Sequence, residues 1–203
     1  VRAARLTAIV LIGLGVVGYS AWLLEFFIPT EVSPLDQPAS DLLHAQPVFR
    51  IVTSLAGLAF LLAGPPLMRL APVHWTGRLT AVAVSTFGIV LIVHAGVPET
   101  VVTPVLLNVI FVIGAGSLVL WWPPGWRAWA VGGLVTVLVA WVLVLVSSMV
   151  GHLDGLFSRV QLAVHALEFA LGGAYVVQMP LTSSGGRKLS VPGEMLRSNI
   201  DPK

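Results

Sequence analysis

The sequence predicts an all-α fold, a polytopic membrane bundle of six transmembrane helices with both termini cytoplasmic. Three observations carry that expectation. The 203-residue chain is 57% hydrophobic and only 10% charged, whereas soluble domains carry about 25% charged residues. Its mean hydropathy is +0.94, and its apolar residues fall into runs of about 20, the length that crosses a hydrocarbon core of about 30 Å. Lys and Arg are unevenly placed. With the N-terminus inside, nine of eleven lie on the inner side: Arg2, Arg5, Arg69, Arg78, Arg127, Arg187, Lys188, Arg197 and Lys203. Cytoplasmic connections of membrane proteins carry this excess.

Arg2 and Arg5 precede the first run, residues 6–28. It begins like a signal peptide but is too long for the apolar part of one, and no small-x-small site follows. It is therefore expected as an uncleaved span. Gly13, Gly15 and Gly18 within it formally match GxGxxG, but no strand precedes them, so they read as helix-packing glycines. Residues 29–47 form a loop in which four prolines interrupt helix formation; residues 40–44 are expected to make one interfacial turn. Span two is 48–70, with Arg50 near its start and Pro65-Pro66 near its end. Span three is 79–97, with His94 near its far end. Thr103-Pro104 reads as an N-cap followed by proline at the first helical position. It opens span four, 104–122, with Asn108 one turn in.

Trp121, Trp122, Trp126 and Trp129 flank Pro123-Pro124-Gly125 and read as an interfacial aromatic belt. Span five is 127–148 and span six 158–179. Residues 181–203 are polar, with Gly185-Gly186 and two prolines, and are expected to be a disordered cytoplasmic tail. Span six is expected to be the helix the others pack around. Gln161, His165 and Glu168 share one face at i, i+4 and i+7. Arg159, Ala163, Ala166, Ala170 and Gly173 make a small-residue stripe that lets another helix approach closely.

The ionisable residues point to the outer side. Glu25, Glu31, Asp36, Asp41, Glu99 and Asp154 all fall there, as do Arg50 and Arg159. A cation at the start of a helix opposes the macrodipole. Arg50 and Arg159 are therefore expected to pair with carboxylates, with Glu25, Asp41 and Asp154 as the candidates; the alternative is snorkelling to head groups. Glu168 lies nine residues beyond Arg159, about 13–14 Å deeper, near the midplane. A charge there costs roughly 2.5–3.5 kcal/mol on insertion scales. It should face the interior, protonated or paired, with His165 the nearest partner by sequence. Asn108 reads as an interhelical hydrogen-bonding group. The candidate polar cluster is thus Glu25, Asp41, Arg50, His94, Asn108, Asp154, Arg159, Gln161, His165 and Glu168.

Other chemistries find little support. The chain has no cysteine, which removes thiolate nucleophiles and Cys-based zinc sites. His44, His94, His152 and His165 lie outside but show no HxxH, HxxxH or HExxH spacing, so no metal or other cofactor is expected. Ser147 and Ser148 have no evident base. A net charge of +2 without a basic, aromatic-interleaved patch argues against nucleic acid. Arg outnumbers Lys, and Ala, Val, Leu and Gly dominate, as in a GC-rich bacterial genome.

Several segments resemble a bacterial multi-span membrane family, the one catalogued as domain of unknown function 998. They are Ser33-Pro34-Leu35 through Ser40-Asp41-Leu42, Gln46-Pro47-Val48-Phe49-Arg50, Gly57, and Gly155-Leu156-Phe157-Ser158-Arg159. The stretch from Gly18 to Glu25 is similar to the actinobacterial branch. Asp41 stands where Glu is more usual and Ser158 where Gln is frequent. The resemblance implies architecture and a bacterial plasma-membrane location, and no activity. Together these readings favour a non-enzymatic role, binding a lipid or small polar ligand from outside or serving a membrane-protein partner or homo-oligomer among membrane lipids. An intramembrane enzyme acting on a lipid head group through His165 and Glu168 is the alternative; a small transporter comes third.

Overall fold

The computed structural model of the protein describes residues 2–72, 74–98 and 102–179. The predicted tail, 181–203, lies outside them, as does Glu99. The described chain is all-helical. Helix α1 (Arg2–Tyr19) tightens into a 3₁₀ helix over Ser20–Phe26. A 3₁₀ turn at Ala39–Asp41 leads into the short α2 (Leu42–Ala45), where one interfacial turn is expected. Then follow α3 (Pro47–Leu70), α4 (Trp75–Gly96), α5 (Val102–Trp121), α6 (Pro124–Val150) and α7 (Asp154–Gln178). Counting α1 with its 3₁₀ continuation, six helices are long and apolar enough to cross a membrane. The chain is a multi-pass membrane protein.

Each long helix packs on the next in sequence, and α7 packs back on α1, closing a ring. The neighbours run antiparallel. Tyr19 meets His165 and Glu25 meets Arg159, so α1 and α7 pass each other head to tail. Both described chain ends therefore lie at one end of the bundle, and the 29–46 segment lies at the other, called the far end below. Large apolar side chains cover the outside: Leu6, Val17, Ile51, Val135 and Leu167 are all more than half exposed. Water would not tolerate so continuous an apolar surface, but lipid does.

The ring is filled by aromatic rings. Phe60 of α3 stacks on Phe169 of α7 at 4.2 Å, and Phe87 of α4 meets Phe169 edge-on at 5.1 Å. Phe111 of α5 stacks on His165 at 4.0 Å. With Tyr19 from α1, the face of α7 that carries His165 touches four other helices, and Glu168 lies against Gly133 of α6. The backbones form a ring, yet the α7 side chains reach all five partners, which gives this helix the central place expected of span six. Its small stripe is used only in part. Ala166 is buried and Gly173 faces Ile12 of α1, but Ala163 and Ala170 are exposed.

The closest approach is between α3 and α4. A Cβ on Gly57 would lie 2.7 Å from the Gly88 carbonyl oxygen, and one on Gly88 would meet the Gly57 and Leu61 backbone. Only glycine lets two helices touch this way. Pro65 and Pro66 lie inside α3. Pro65 cannot donate to the Leu61 carbonyl one turn back; the Ser85 hydroxyl of α4 donates to it instead, at 3.3 Å. Such repair is needed where no water reaches the backbone.

Two expectations are corrected here. Thr103 does not cap α5 from outside but sits in its first turn, bonded to His94. The tryptophans are mostly not an exposed belt. Trp122 is 1% exposed, and Trp121, Trp122 and Trp126 surround Tyr175 of α7 at ring separations of 4.7–5.6 Å. Only Trp129 of the four projects outward, 64% exposed. Aromatic pairs gain from edge-on and offset contacts beyond the area they bury, and Tyr175 supplies the ring on which these three tryptophans pack.

Candidate functional site

The far end is assembled around one ion pair. Arg159, in the second turn of α7, donates from Nε and Nη2 to the two carboxylate oxygens of Glu25 at 2.6 and 2.5 Å. The side chains are only 5% and 1% exposed. Nη1 donates to the carbonyls of Gln37 and Gly155, both at 2.9 Å. A fork engaged on both sides fixes the 29–46 segment to α7 and to the first span. Gly155 permits the close approach, since a Cβ there would lie 2.6–2.8 Å from the backbone at Pro34, Leu35 and Gln37. The Leu156 N–H and the Ser158 hydroxyl add bonds to Leu35 O (3.1 Å) and from Ala39 N (3.0 Å). The Gly-Leu-x-x-Arg segment of the resemblance therefore has a plain physical role: it clamps the loop.

Arg159 pairs as expected, and Arg50 does not. Arg50 is exposed, and its Nε donates to the Leu43 carbonyl at 2.6 Å. Leu43 is the second residue of the one-turn α2, and the residue four further on is Pro47, which has no N–H to give its carbonyl. The cation thus satisfies backbone rather than a carboxylate. Among the described residues the Glu25–Arg159 pair is the only salt bridge, and Asp41 stands apart from it at the end of its 3₁₀ turn.

Within this far end lies a cavity of about 460 Å³. Five of the predicted residues line it: His94, Asn108, Asp154, Gln161 and His165. Their polar atoms are mostly tied to the walls. His94 Nδ1 bonds the Thr103 hydroxyl at 2.9 Å. Gln161 Nε2 donates to Asn108 Oδ1, and Asn108 Nδ2 donates to Pro104 O at 2.9 Å. This is the interhelical role expected of Asn108. Asp154, in the first turn of α7, accepts from Ser147 at 3.3 Å, and a carboxylate there suits the helix dipole. His165 Nδ1 bonds the Tyr19 hydroxyl at 3.1 Å. Its Nε2 and the Trp22 Nε1 are both buried without a hydrogen-bond partner. Both residues line the cavity.

Glu168 lies elsewhere. It is half-buried, packs over Gly133 of α6, and lines a separate cavity of about 60 Å³ with Thr80 and Phe111. Among the described residues it forms no salt bridge. His165, its nearest partner by sequence, is engaged with Tyr19 instead. His165 sits inside the aromatic core, whereas Glu168 turns toward Gly133 of α6, so the two groups face different spaces. No set of three His, Asp or Glu side chains converges among the described residues.

Tyr19, Trp22, Thr53 and Trp141 line the cavity but do not stand out in the sequence as site residues. The available signal is slight. Tyr19 is one of only two tyrosines, and with Trp22 and Glu25 it recurs at the three-residue interval of the 3₁₀ segment. A 3.6-residue reading places Glu25 with Gly18 and Trp22 instead. Comparison with protein-family models, with curated proteins and with solved structures returns no match.

Proposed function

We propose that the protein binds a lipid or small polar ligand in the far-end cavity and does so without chemistry. The observation that carries this reading is a space of about 460 Å³ whose mostly apolar wall also carries His94, Asn108, Asp154 and Gln161. Ligand sites typically occupy some 300–1,000 Å³ with a few placed polar groups in an apolar wall. The Lys and Arg distribution supports a far end that faces outward from a bacterial plasma membrane. The residues that resemble the family of domain of unknown function 998 include the loop-clamping segment, and membership of that family is part of the proposal. Nothing favours the enzyme, because His165 and Glu168 line different cavities.

Thr53, half-buried in the cavity wall, offers a test. Thr53→Phe places a ring in the space. Wild type purified in mild detergent should retain an amphiphile, identified by mass spectrometry of its organic extract, and the variant should lose it. Equal retention by both proteins, or none by either, refutes the reading.

A further inference from the structure

We infer that the far-end cavity takes an amphiphilic amine, a positively charged ammonium head on an apolar body, and that Asp154 receives the head. The inference rests on the binding reading above and names the ligand's chemistry.

The polar atoms that the cavity wall leaves open, where neighbours fix their role, are acceptors. Gln161 is 8% exposed and lines the cavity. Its amide is oriented by the bonds around it. The Pro104 carbonyl takes a hydrogen from Asn108 Nδ2, so Asn108 turns Oδ1 toward Gln161, and Gln161 must donate from Nε2. That leaves Gln161 Oε1 as an acceptor without a partner among the described residues. It is not one of the side-chain atoms buried in that state, so it keeps open surface. Asp154 repeats the pattern. Its Oδ1 accepts from the Ser147 hydroxyl at 3.3 Å, while Oδ2 has no partner among the described residues and is likewise not buried. Ser148 also lines the cavity. It gives its proton to Leu145 O at 2.9 Å and has only lone pairs left to offer.

Charge selects among the possible donors. Asp154 is the only Asp, Glu, Lys or Arg that lines the cavity among the described residues, and it forms no salt bridge with any of them. Arg159 spends its fork on Glu25 and two carbonyls. An anionic head would face the Asp154 carboxylate and meet no Lys or Arg. A neutral donor such as an alcohol would satisfy Gln161 but leave the carboxylate without a counter-charge. An ammonium supplies N–H donors and the charge together, and its hydrogen bond to a carboxylate is of the stronger, charge-assisted kind.

The order of the wall along the helices sets the orientation. Asp154 opens α7 and Ser148 lies near the end of α6, so both stand at the far-end rim. Trp141 of α6 and Leu162 of α7 line the cavity about two turns deeper, with Leu91 and Leu107 completing an apolar wall. The head is therefore held at the rim and the apolar body points toward the middle of the bundle. Gln161 is two turns from Asp154 on the same face of α7, where a hydroxyl or second N–H on the body can donate to it.

Four probes in equilibrium titrations of the detergent-solubilised protein at neutral pH test this: octylamine, octanol, octanoate and dihexanoyl phosphatidylethanolamine. The first three share one tail and differ in the head. Octylamine should bind roughly 10–100-fold more tightly than octanol, the worth of a charge-assisted hydrogen bond, and octanoate should bind least. Thr53→Phe should abolish octylamine binding. Asp154→Asn, which can keep the Ser147 bond, should reduce octylamine to the affinity of octanol. Ser148→Lys, at an exposed position, adds a fixed cation to the wall and should do the same while strengthening octanoate; it carries the test if the Asn variant fails to fold. Binding of the phosphatidylethanolamine, lost likewise in these variants, assigns the site to lipid amine heads, and octylamine binding alone assigns it to free amines. Octanol or octanoate binding as tightly as octylamine, with Thr53→Phe still blocking, overturns the inference and leaves the binding reading standing. An amine preference that survives Asp154→Asn and Ser148→Lys also overturns it. If no probe binds in a way that Thr53→Phe blocks, the inference fails, and the binding reading is then judged by the co-purified amphiphile.

Discussion

Replacing Arg159 by Met should be among the most damaging single changes in the chain. The methionine fills much the same space and removes the fork. Glu25, 1% exposed at its side chain, is left as an unpaired buried carboxylate, and the Gln37 carbonyl loses its donor. Gly155 O keeps the Ser158 hydroxyl at 2.9 Å. Breaking a buried pair costs about 3–5 kcal/mol, and the stranded carbonyl adds about 1–3 kcal/mol. At roughly 2–4 °C per kcal/mol for a chain of this size, the midpoint should fall by at least about 6 °C. The decisive comparison is the double variant Glu25→Met with Arg159→Met. It leaves no buried charge, so its remaining cost is mainly the Gln37 carbonyl, and it should be more stable than Arg159→Met alone. Thermal unfolding of wild type, both single variants and the double variant in one detergent measures the coupling. A double variant whose loss equals the sum of the two single losses would show that the pair contributes nothing, and the clamp argument would be wrong. Arg50→Ala is the control: it removes one part-buried hydrogen bond, worth about 1 kcal/mol.

Three further outcomes follow from the packing. Gly88→Ala should lower the yield of folded protein sharply, because its Cβ meets the α3 backbone, whereas Gly116→Ala, with nothing within 4 Å, should be neutral or slightly stabilising in a thermal melt. Gly133→Ala should destabilise by displacing the Glu168 carboxylate, and Glu168→Ala in the same chain should recover most of the loss; an unrecovered loss would place the clash elsewhere. A reporter active only outside the cytoplasm should be active when inserted between residues 29 and 38 and silent when fused after Lys203, and the reverse result would invert the proposed orientation.

The bundle was legible because the property that drives it, apolar length, is written residue by residue. Six runs give six helices whatever the details of packing. Details that depend on pairing were not legible in the same way. Arg50 and Arg159 look alike in sequence, each a cation near the start of a helix. What separates them is reach: Arg159 faces the 3₁₀ end of the first span, where Glu25 lies, while Arg50 faces the one-turn α2 and its Leu43 carbonyl. Tyr19 was hidden for a related reason. A tyrosine in an apolar run reads as core or interface, and nothing local says that its hydroxyl will meet a histidine 146 residues away.

The polar stripe of α7 shows how a single pattern divides in space. Gln161, His165 and Glu168 span seven residues, about 10 Å of helix, and on a helical wheel they are equivalent. In the bundle they pass through three surroundings. Gln161 joins α5 through Asn108 at the cavity wall. His165 lies in the aromatic layer, stacked on Phe111 and bonded to Tyr19. Glu168 lies at the side of that layer, beside Gly133 of α6. A proton or ion moving along the stripe would have to cross the packed rings of Phe87, Phe111 and Phe169, which offer no acceptor. Phe87, Phe111 and Phe169 line the smaller cavity and none of them lines the larger one, so the stripe offers no continuous polar path between the two spaces, and the larger one suits a chamber that holds one molecule better than a path that passes it on.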